Sequence, residues 1–290
     1  MLDSQRKVLL KRKGEKMLKE ITLGQYFPGK SVLHKMDPRM KIILLTFYIV
    51  FIFLTKNYIS LAIMGISVLG VIILSTVSPK LYFKSVKAIV FIVLFTSALN
   101  LFYGTGDPIW QWHFLKITES GINTAVFVAV RIISLVLISS VLTYTTSPTD
   151  LTDGIEKLLK PLTVFHIQVH EIAMMMTIAL RFIPTLLEET DKIMSAQKAR
   201  GADFESGNFA ARIKALIPIL IPLFVSAFRR AFDLAMAMES RCYHGGDGRT
   251  RMKVLKYTKY DFAALAVLAV IFIGVIICNI KFPAALRSGM

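Results

Sequence analysis

Two short stretches decide how this chain reads: Ala196-Gln197-Lys198-Ala199-Arg200-Gly201-Ala202-Asp203-Phe204 and Ala237-Met238-Glu239-Ser240-Arg241-Cys242-Tyr243-His244-Gly245-Gly246. Each runs through good helix formers to a small residue, an arginine, and then a small or chain-stopping residue. Both read as helix C-termini tipped by arginine. One such end has a plain explanation, since a cation complements the negative end of a helix dipole. Two of them, each closing a long amphipathic segment, favour docking. The arginine fork can bind carboxylates or backbone carbonyls bidentately. Ala199 and Ser240 are small enough to let each tip approach a wall.

Working outward, Val169 to Ala199 carries Ile172, Met176, Ala179, Ile183 and Leu186 at helical spacing, with Glu188, Glu189, Asp191, Lys192 and Lys198 gathered towards the far end. Phe209 to Arg241 carries a second stripe, Ile213, Leu216, Leu220, Leu223, Ala227, Ala231, Leu234 and Met238, interrupted by Pro218 and Pro222. Lys214, Arg229, Arg230, Asp233 and Glu239 lie off that stripe. Such a helix extends roughly 45–50 Å, longer than a bilayer core. With its charges on one side, it is expected to lie along the membrane rather than cross it.

The rest of the chain looks like a membrane anchor. Its 290 residues are 54% hydrophobic yet carry a net charge of +16, and the mean hydropathy is +0.59. Apart from Arg131, the basic residues avoid the apolar runs. They concentrate in three blocks, Arg6 to Lys41, Lys80 to Lys87 and Lys157 to Lys259, as positive residues held inside a membrane do; nucleic-acid binding is not expected. Spans are expected at about Met40 to Leu54, Ile59 to Val77, Ala88 to Tyr103, Ile122 to Tyr144 and Phe262 to Ile280, with one more possible within 170 to 187. The fold expected is all-α: about five transmembrane helices plus a cytoplasmic helical coupling domain. Its divisions are 1–38, a basic cytoplasmic segment with a surface helix over residues 1–20; 39–144, four transmembrane helices; 145–261, the coupling domain; and 262–290, the last span. The N-terminus is placed in the cytoplasm of a multi-pass cell-membrane protein, and no cleavable signal peptide is read.

Local signals fill in the ends. Asp37-Pro38 reads as an N-cap followed by proline at the first helical position, with Arg39 and Lys41 as headgroup-level anchors. Gly104 to Gly121 reads as an external segment with Trp110 and Trp112 at an interface belt. Arg131 is expected to face other helices or an aqueous crevice.

The chemistry of sites is sparse. His166 and His170 stand four apart before Glu171, but without a third ligand, and no metal is assigned. Met174, Met175, Met176, Met236 and Met238 read as adaptable packing. Cys242 and Cys278 are placed at different depths, so no disulfide is expected. There is no phosphate-cradling glycine loop, nucleophile elbow or paired-carboxylate site; no cofactor and no catalytic residue is assigned. A self-sufficient secondary transporter is the alternative, with only Arg131 and Asn100 as intramembrane polar hints.

The combination of Gly24-Gln25-Tyr26, Pro28-Gly29, Ser31, Leu33-His34 and Asp37-Pro38-Arg39 with Ala199-Arg200-Gly201 and Ser240-Arg241-Cys242 resembles the transmembrane T component of energy-coupling-factor (ECF) transporters, over about residues 20 to 280. The resemblance implies a non-catalytic subunit for uptake of vitamins or other micronutrients. Its partners would be two ABC-type ATPases that receive the arginine-tipped helices, a small membrane S component that binds the nutrient, and the lipid bilayer. It implies ATPase docking by Ala199, Arg200, Gly201, Ser240, Arg241 and Cys242, and S-component contact by Met175, Met176, Ala179, Ile183, Leu220, Leu223 and Phe224. The second signature departs from Ala-Arg-Gly. Cysteine enters a left-handed turn less easily than glycine, so the turn there is expected slightly later, at Gly245-Gly246.

Overall fold

The computed structural model describes residues 25–102, 108–112, 115–202, 204, 208–246 and 254–281. The surface helix expected over residues 1–20 lies outside them, as do Gly24 and the side chains of Trp110 and Trp112. The described helices are α1 (Val32–Lys35), α2 (Pro38–Leu54), α3 (Tyr58–Ser75), α4 (Pro79–Phe102), α5 (Glu119–Thr145), α6 (Pro148–Leu159), α7 (Val169–Ala199), α8 (Phe209–Glu239) and α9 (Lys259–Lys281). A 3-10 turn, Lys160–Phe165, follows α6. The expected all-α class holds. Its one exception among the described residues is a short antiparallel hairpin, β1 (Pro108–Trp112) with β2 (Leu115–Thr118), inside the segment read as external.

Among the described residues six helices are long and apolar enough to cross a membrane: α3, α4, α5, α7, residues Ile213–Glu239 of α8, and α9. This is a multi-pass membrane protein. The set differs from the expected spans at three places. Helix α7 covers the further span held possible within 170 to 187, and most of α8, expected to lie along the membrane, also qualifies by length and composition. Helix α2, at 17 residues, is short. Helix α4 begins at Pro79 rather than near Ala88, because proline suits a first helical turn and long lysines tolerate a helix end at the interface.

The chain divides into two compact units, one formed by residues 24–154 and 254–290, the other holding residues 155–253. In the first, Tyr48, Ile52, Met64, Val68, Ile138, Phe272 and Val275 form a buried core between α2, α3, α5 and α9. Phe51 stacks on Phe272 with ring centroids 3.6 Å apart. Lipid tails are as apolar as these side chains, so close packing and hydrogen bonds, more than water exclusion, hold membrane helices together. Hydroxyls supply those bonds here. Tyr48 Oη donates to the Met64 carbonyl at 2.5 Å, Ser75 Oγ meets Tyr82 Oη at 2.9 Å, and Tyr144 Oη donates to the Leu81 carbonyl at 3.2 Å. Gly121 lets α5 meet α4: a Cβ there would lie 2.6 Å from the Leu101 carbonyl oxygen.

Each end of this bundle is tied by polar groups. At one end Asp37 caps α2, accepting the Arg39 N–H at 2.9 Å and the Arg39 guanidinium at 2.7 Å. Its own N–H donates to Asp261 Oδ1 at 3.0 Å. Asp261 is fully buried, and its other oxygen accepts both the N–H and the hydroxyl of Thr258, at 2.6 and 2.8 Å. That is the reciprocal half of a capping box at the start of α9. Burial pushes the Asp37 carboxyl up, but hydrogen bonds from Arg39 and the charges of Arg39 and Lys41 outweigh it and hold the group below its ordinary value.

Arg39 and Lys41, expected as headgroup-level anchors, are both engaged within the bundle. The Arg39 guanidinium lies 4.3 Å over the Tyr257 ring. Lys41 is buried and donates to the Thr145 carbonyl at 3.0 Å and to Thr146 Oγ1 at 3.2 Å. It therefore serves a carbonyl that the end of α5 leaves without a helical donor.

At the opposite end Asn279 bridges α9 to the α2–α3 turn. Its amide donates to the Leu54 carbonyl at 3.1 Å, and its oxygen accepts from Ser60 Oγ at 2.9 Å. Arg131 faces other helices, as expected: it donates to the Thr55 carbonyl at 2.7 Å and lies 4.6 Å over the Phe127 ring.

Candidate functional site

The two arginine ends belong to the second unit, on α7 and α8, and they close in the same way. At the end of α7, Gly201 has φ +86°. The Gly201 N–H reaches the Lys198 carbonyl at 3.1 Å, and the Ala202 N–H reaches back to Gln197 at 3.0 Å. At the end of α8, Cys242 has φ +54°. The Cys242 N–H reaches the Glu239 carbonyl at 2.8 Å, and the Tyr243 N–H reaches Met238 at 3.1 Å. This pair of bonds around a left-handed residue is the Schellman ending.

Arg200 and Arg241 therefore occupy the same position, one residue before the left-handed turn. The second ending does not wait for Gly245-Gly246, although Gly245 is itself left-handed at φ +105°. Cys242 makes the turn despite the steric cost to an L residue, because two hydrogen bonds close over it. The signatures differ in sequence and agree in geometry.

All six tip residues, Ala199, Arg200, Gly201, Ser240, Arg241 and Cys242, are exposed. Among the described residues neither guanidinium has a hydrogen-bond or ion-pair partner. An exposed arginine without an internal partner keeps its full set of donors for an external acceptor.

The helices carrying the tips run antiparallel. Glu189 of α7 pairs with Arg230 of α8 at 2.7 Å, and Gln197 Nε2 donates to the Pro218 carbonyl at 3.4 Å. Proline at 222 lacks the N–H that would bond the carbonyl four residues earlier, and that carbonyl is Pro218's. Gln197 supplies the missing donor, three residues before Arg200. Sequence reasoning passed over Gln197. The signal that could have found it is the Pro218/Pro222 spacing, which leaves the Pro218 carbonyl free on an otherwise regular helix.

Of the residues expected to meet a membrane partner, Met175, Met176, Ala179, Leu220 and Phe224 are exposed, while Ile183 and Leu223 are half-buried. Met175, Ala179 and Ile183 share one face of α7; Leu220 and Phe224, four residues apart, share one face of α8. That face of α8 continues through Phe228, Phe232 and Met236, all more than half exposed. The histidine pair does not form one helical edge. His166 sits in a left-handed turn ahead of α7, whereas His170 lies on α7 with its Nδ1 3.1 Å from Glu156.

The described residues thus combine helices long and apolar enough to cross a membrane with two long helices that end in matched, exposed arginines. Residues 29–253 match the family described as "Cobalt transport protein" (CbiQ), and the chain belongs to it. It is similar to three proteins named energy-coupling factor transporter transmembrane protein EcfT. The one from Ruminiclostridium cellulolyticum is 52% identical over 92% of this chain and 100% of the relative. The one from Clostridium kluyveri is 51% identical over 90% and 97%, and that from Bacillus subtilis 45% over 88% and 97%. The chain is thus a transmembrane component of an ECF transporter, working in a complex with other components.

Proposed function

We propose that this chain is the energy-coupling subunit of its transporter: two ABC-type ATPases grip Arg200 and Arg241, and their ATP-driven motion passes through α7 and α8 to a small substrate-binding S component. The observation that carries this is the geometric identity of the two endings. Two equal tips suit two ATPase subunits of like shape. When the ATPases move relative to each other the tips follow, α7 and α8 shear, and the S component reorients to release its cargo inside. The apolar face with Met175, Met176 and Ala179 on α7 and Leu220, Leu223 and Phe224 on α8 meets the S component, with Ile183 beside it. The coupling region extends over 145–261, and the N-terminus is cytoplasmic, in keeping with the basic blocks. The cargo is a vitamin or other micronutrient chosen by the S component. ATP hydrolysis belongs to the partners.

Charge-assisted contacts buried at an interface are worth on the order of 2–5 kcal/mol when one partner is truncated. Arg200→Ala and Arg241→Ala should each weaken ATPase association by about 30-fold or more and lower ATP-dependent uptake accordingly. Nutrient binding by the isolated S component should not change. Uptake at the parental rate in both variants would contradict the proposal.

A further inference from the structure

The bundle of the first unit holds a chamber of about 290 Å³ at the end where Asp37 and Asp261 meet. Its wall runs from Lys41, Thr145 and Tyr260 at the helix ends to Tyr48, Ser67 and Ile271 farther in. Seven residues of α2 and eleven of α9 separate these levels, a depth of roughly 10–16 Å at the rise of a helix.

Water is a poor filler for this space, since each molecule needs two to four polar partners, and apart from the half-exposed Tyr260 at the mouth the few polar side chains in the wall are engaged. Tyr48 Oη lies 2.5 Å from Ser67 Oγ, and Thr145 Oγ1 donates to the Val141 carbonyl at 2.8 Å. Lys41 Nζ is spent on the end of α5. The remaining wall is apolar. The chamber is also open at the side: Leu74 and Val267 on its rim are 57% and 60% exposed. They belong to α3 and α9, helices long and apolar enough to cross a membrane. Side chains exposed there meet acyl chains, and a chain can enter between them.

Charge at the mouth selects the headgroup. Lys30, Lys35, Lys256 and Lys259 are exposed within a few residues of the lining side chains Val32, Met36 and Tyr260. The acids at the same end do not offset them. Asp37 and Asp261 are buried in their mutual knot, and Asp150 and Asp153 are half-buried, Asp150 accepting from Ser147. Clustered lysines beside a membrane favour anionic lipids.

We propose that the chamber is a binding site for an anionic phospholipid of the surrounding bilayer, one acyl chain filling it and the phosphate resting against this lysine rim. The test is native mass spectrometry of the full chain in mild detergent, titrated with dioleoyl phosphatidylglycerol or dioleoyl phosphatidylcholine. The wild type should retain one phosphatidylglycerol about 10-fold more tightly than phosphatidylcholine. Ala264→Phe, which fills the chamber, should cut phosphatidylglycerol retention about 10-fold. Lys35→Glu combined with Lys259→Glu leaves the chamber untouched and should abolish the preference between the two lipids. Equal retention of both lipids by the wild type would overturn the proposal. So would full retention by Ala264→Phe, which would put the lipid on the rim alone, or an undiminished preference in the lysine double variant.

Discussion

Cys242→Gly is the sharpest probe of the matched helix ends. An L residue in the left-handed region costs about 1–2 kcal/mol, and Cys242, at φ +54°, bears that cost now. Glycine removes it but loses about 0.4–1 kcal/mol to the greater freedom of the unfolded chain. The net gain expected is roughly 0.5–1 kcal/mol, confined to the last turn of α8. Because 1.4 kcal/mol is tenfold in an equilibrium, local opening should become about 2–5-fold rarer. Amide hydrogen exchange reads this directly at Tyr243, whose N–H closes the turn onto Met238; its exchange should slow by that factor. The reciprocal change, Gly201→Cys, should speed exchange at Ala202 by a similar factor, because it imposes the same strain at φ +86°. Unchanged or faster exchange at Tyr243 in Cys242→Gly would refute the shared-ending argument.

Other predictions address the supports of the fold. Asp261→Ala strands the N–H groups of Asp37 and Thr258 and should cost about 2–5 kcal/mol, lowering the midpoint of heat-induced aggregation in detergent by about 5 °C or more. Gly121→Ala drives a methyl against the Leu101 carbonyl; overpacking of that kind costs about 1–3 kcal/mol and should lower the same midpoint. Asp37, held below its ordinary value by Arg39, adds stability that is full above the unfolded carboxylate pKa of about 3.9 and lost as pH falls through the lower folded value. The stability gap between wild type and Asp37→Asn, followed by chemical denaturation in detergent, should therefore narrow below about pH 4. Gln197→Leu removes the donor to Pro218 and should raise hydrogen exchange in the α7 terminal turn about 2–10-fold, with uptake reduced.

What the sequence disclosed was mostly local. Asp37-Pro38 is legible because an N-cap and its target amide lie two residues apart. The stripes of α7 and α8 are legible because a helix repeats them. The arginine ends were legible as ends, but not the conformation of Cys242, since residue preference argues for glycine and only the closing hydrogen bonds reveal that cysteine was accommodated. The partners of Lys41 are hidden for a similar reason. A lysine near a span end reads as an anchor, and its real acceptors lie more than a hundred residues away at Thr145 and Thr146. Asp261 reads in sequence as the last residue before a span, yet it is the acceptor that joins the beginnings of α2 and α9. The hairpin at 108–118 was hidden because its two strands are too short for a period-two pattern to stand out.

The central claim, that paired arginine tips receive two ATPases, is tested most directly by tagging the wild type and the Arg200→Ala, Arg241→Ala double variant. Each is captured from native membranes in mild detergent, and its companions are identified by mass spectrometry. The account predicts that the wild type brings down two ABC-type ATPases and a small, very hydrophobic protein, and that the double variant keeps the small protein and loses the ATPases. A wild-type chain that emerges alone across detergents, or a double variant that retains both ATPases in full, would contradict it.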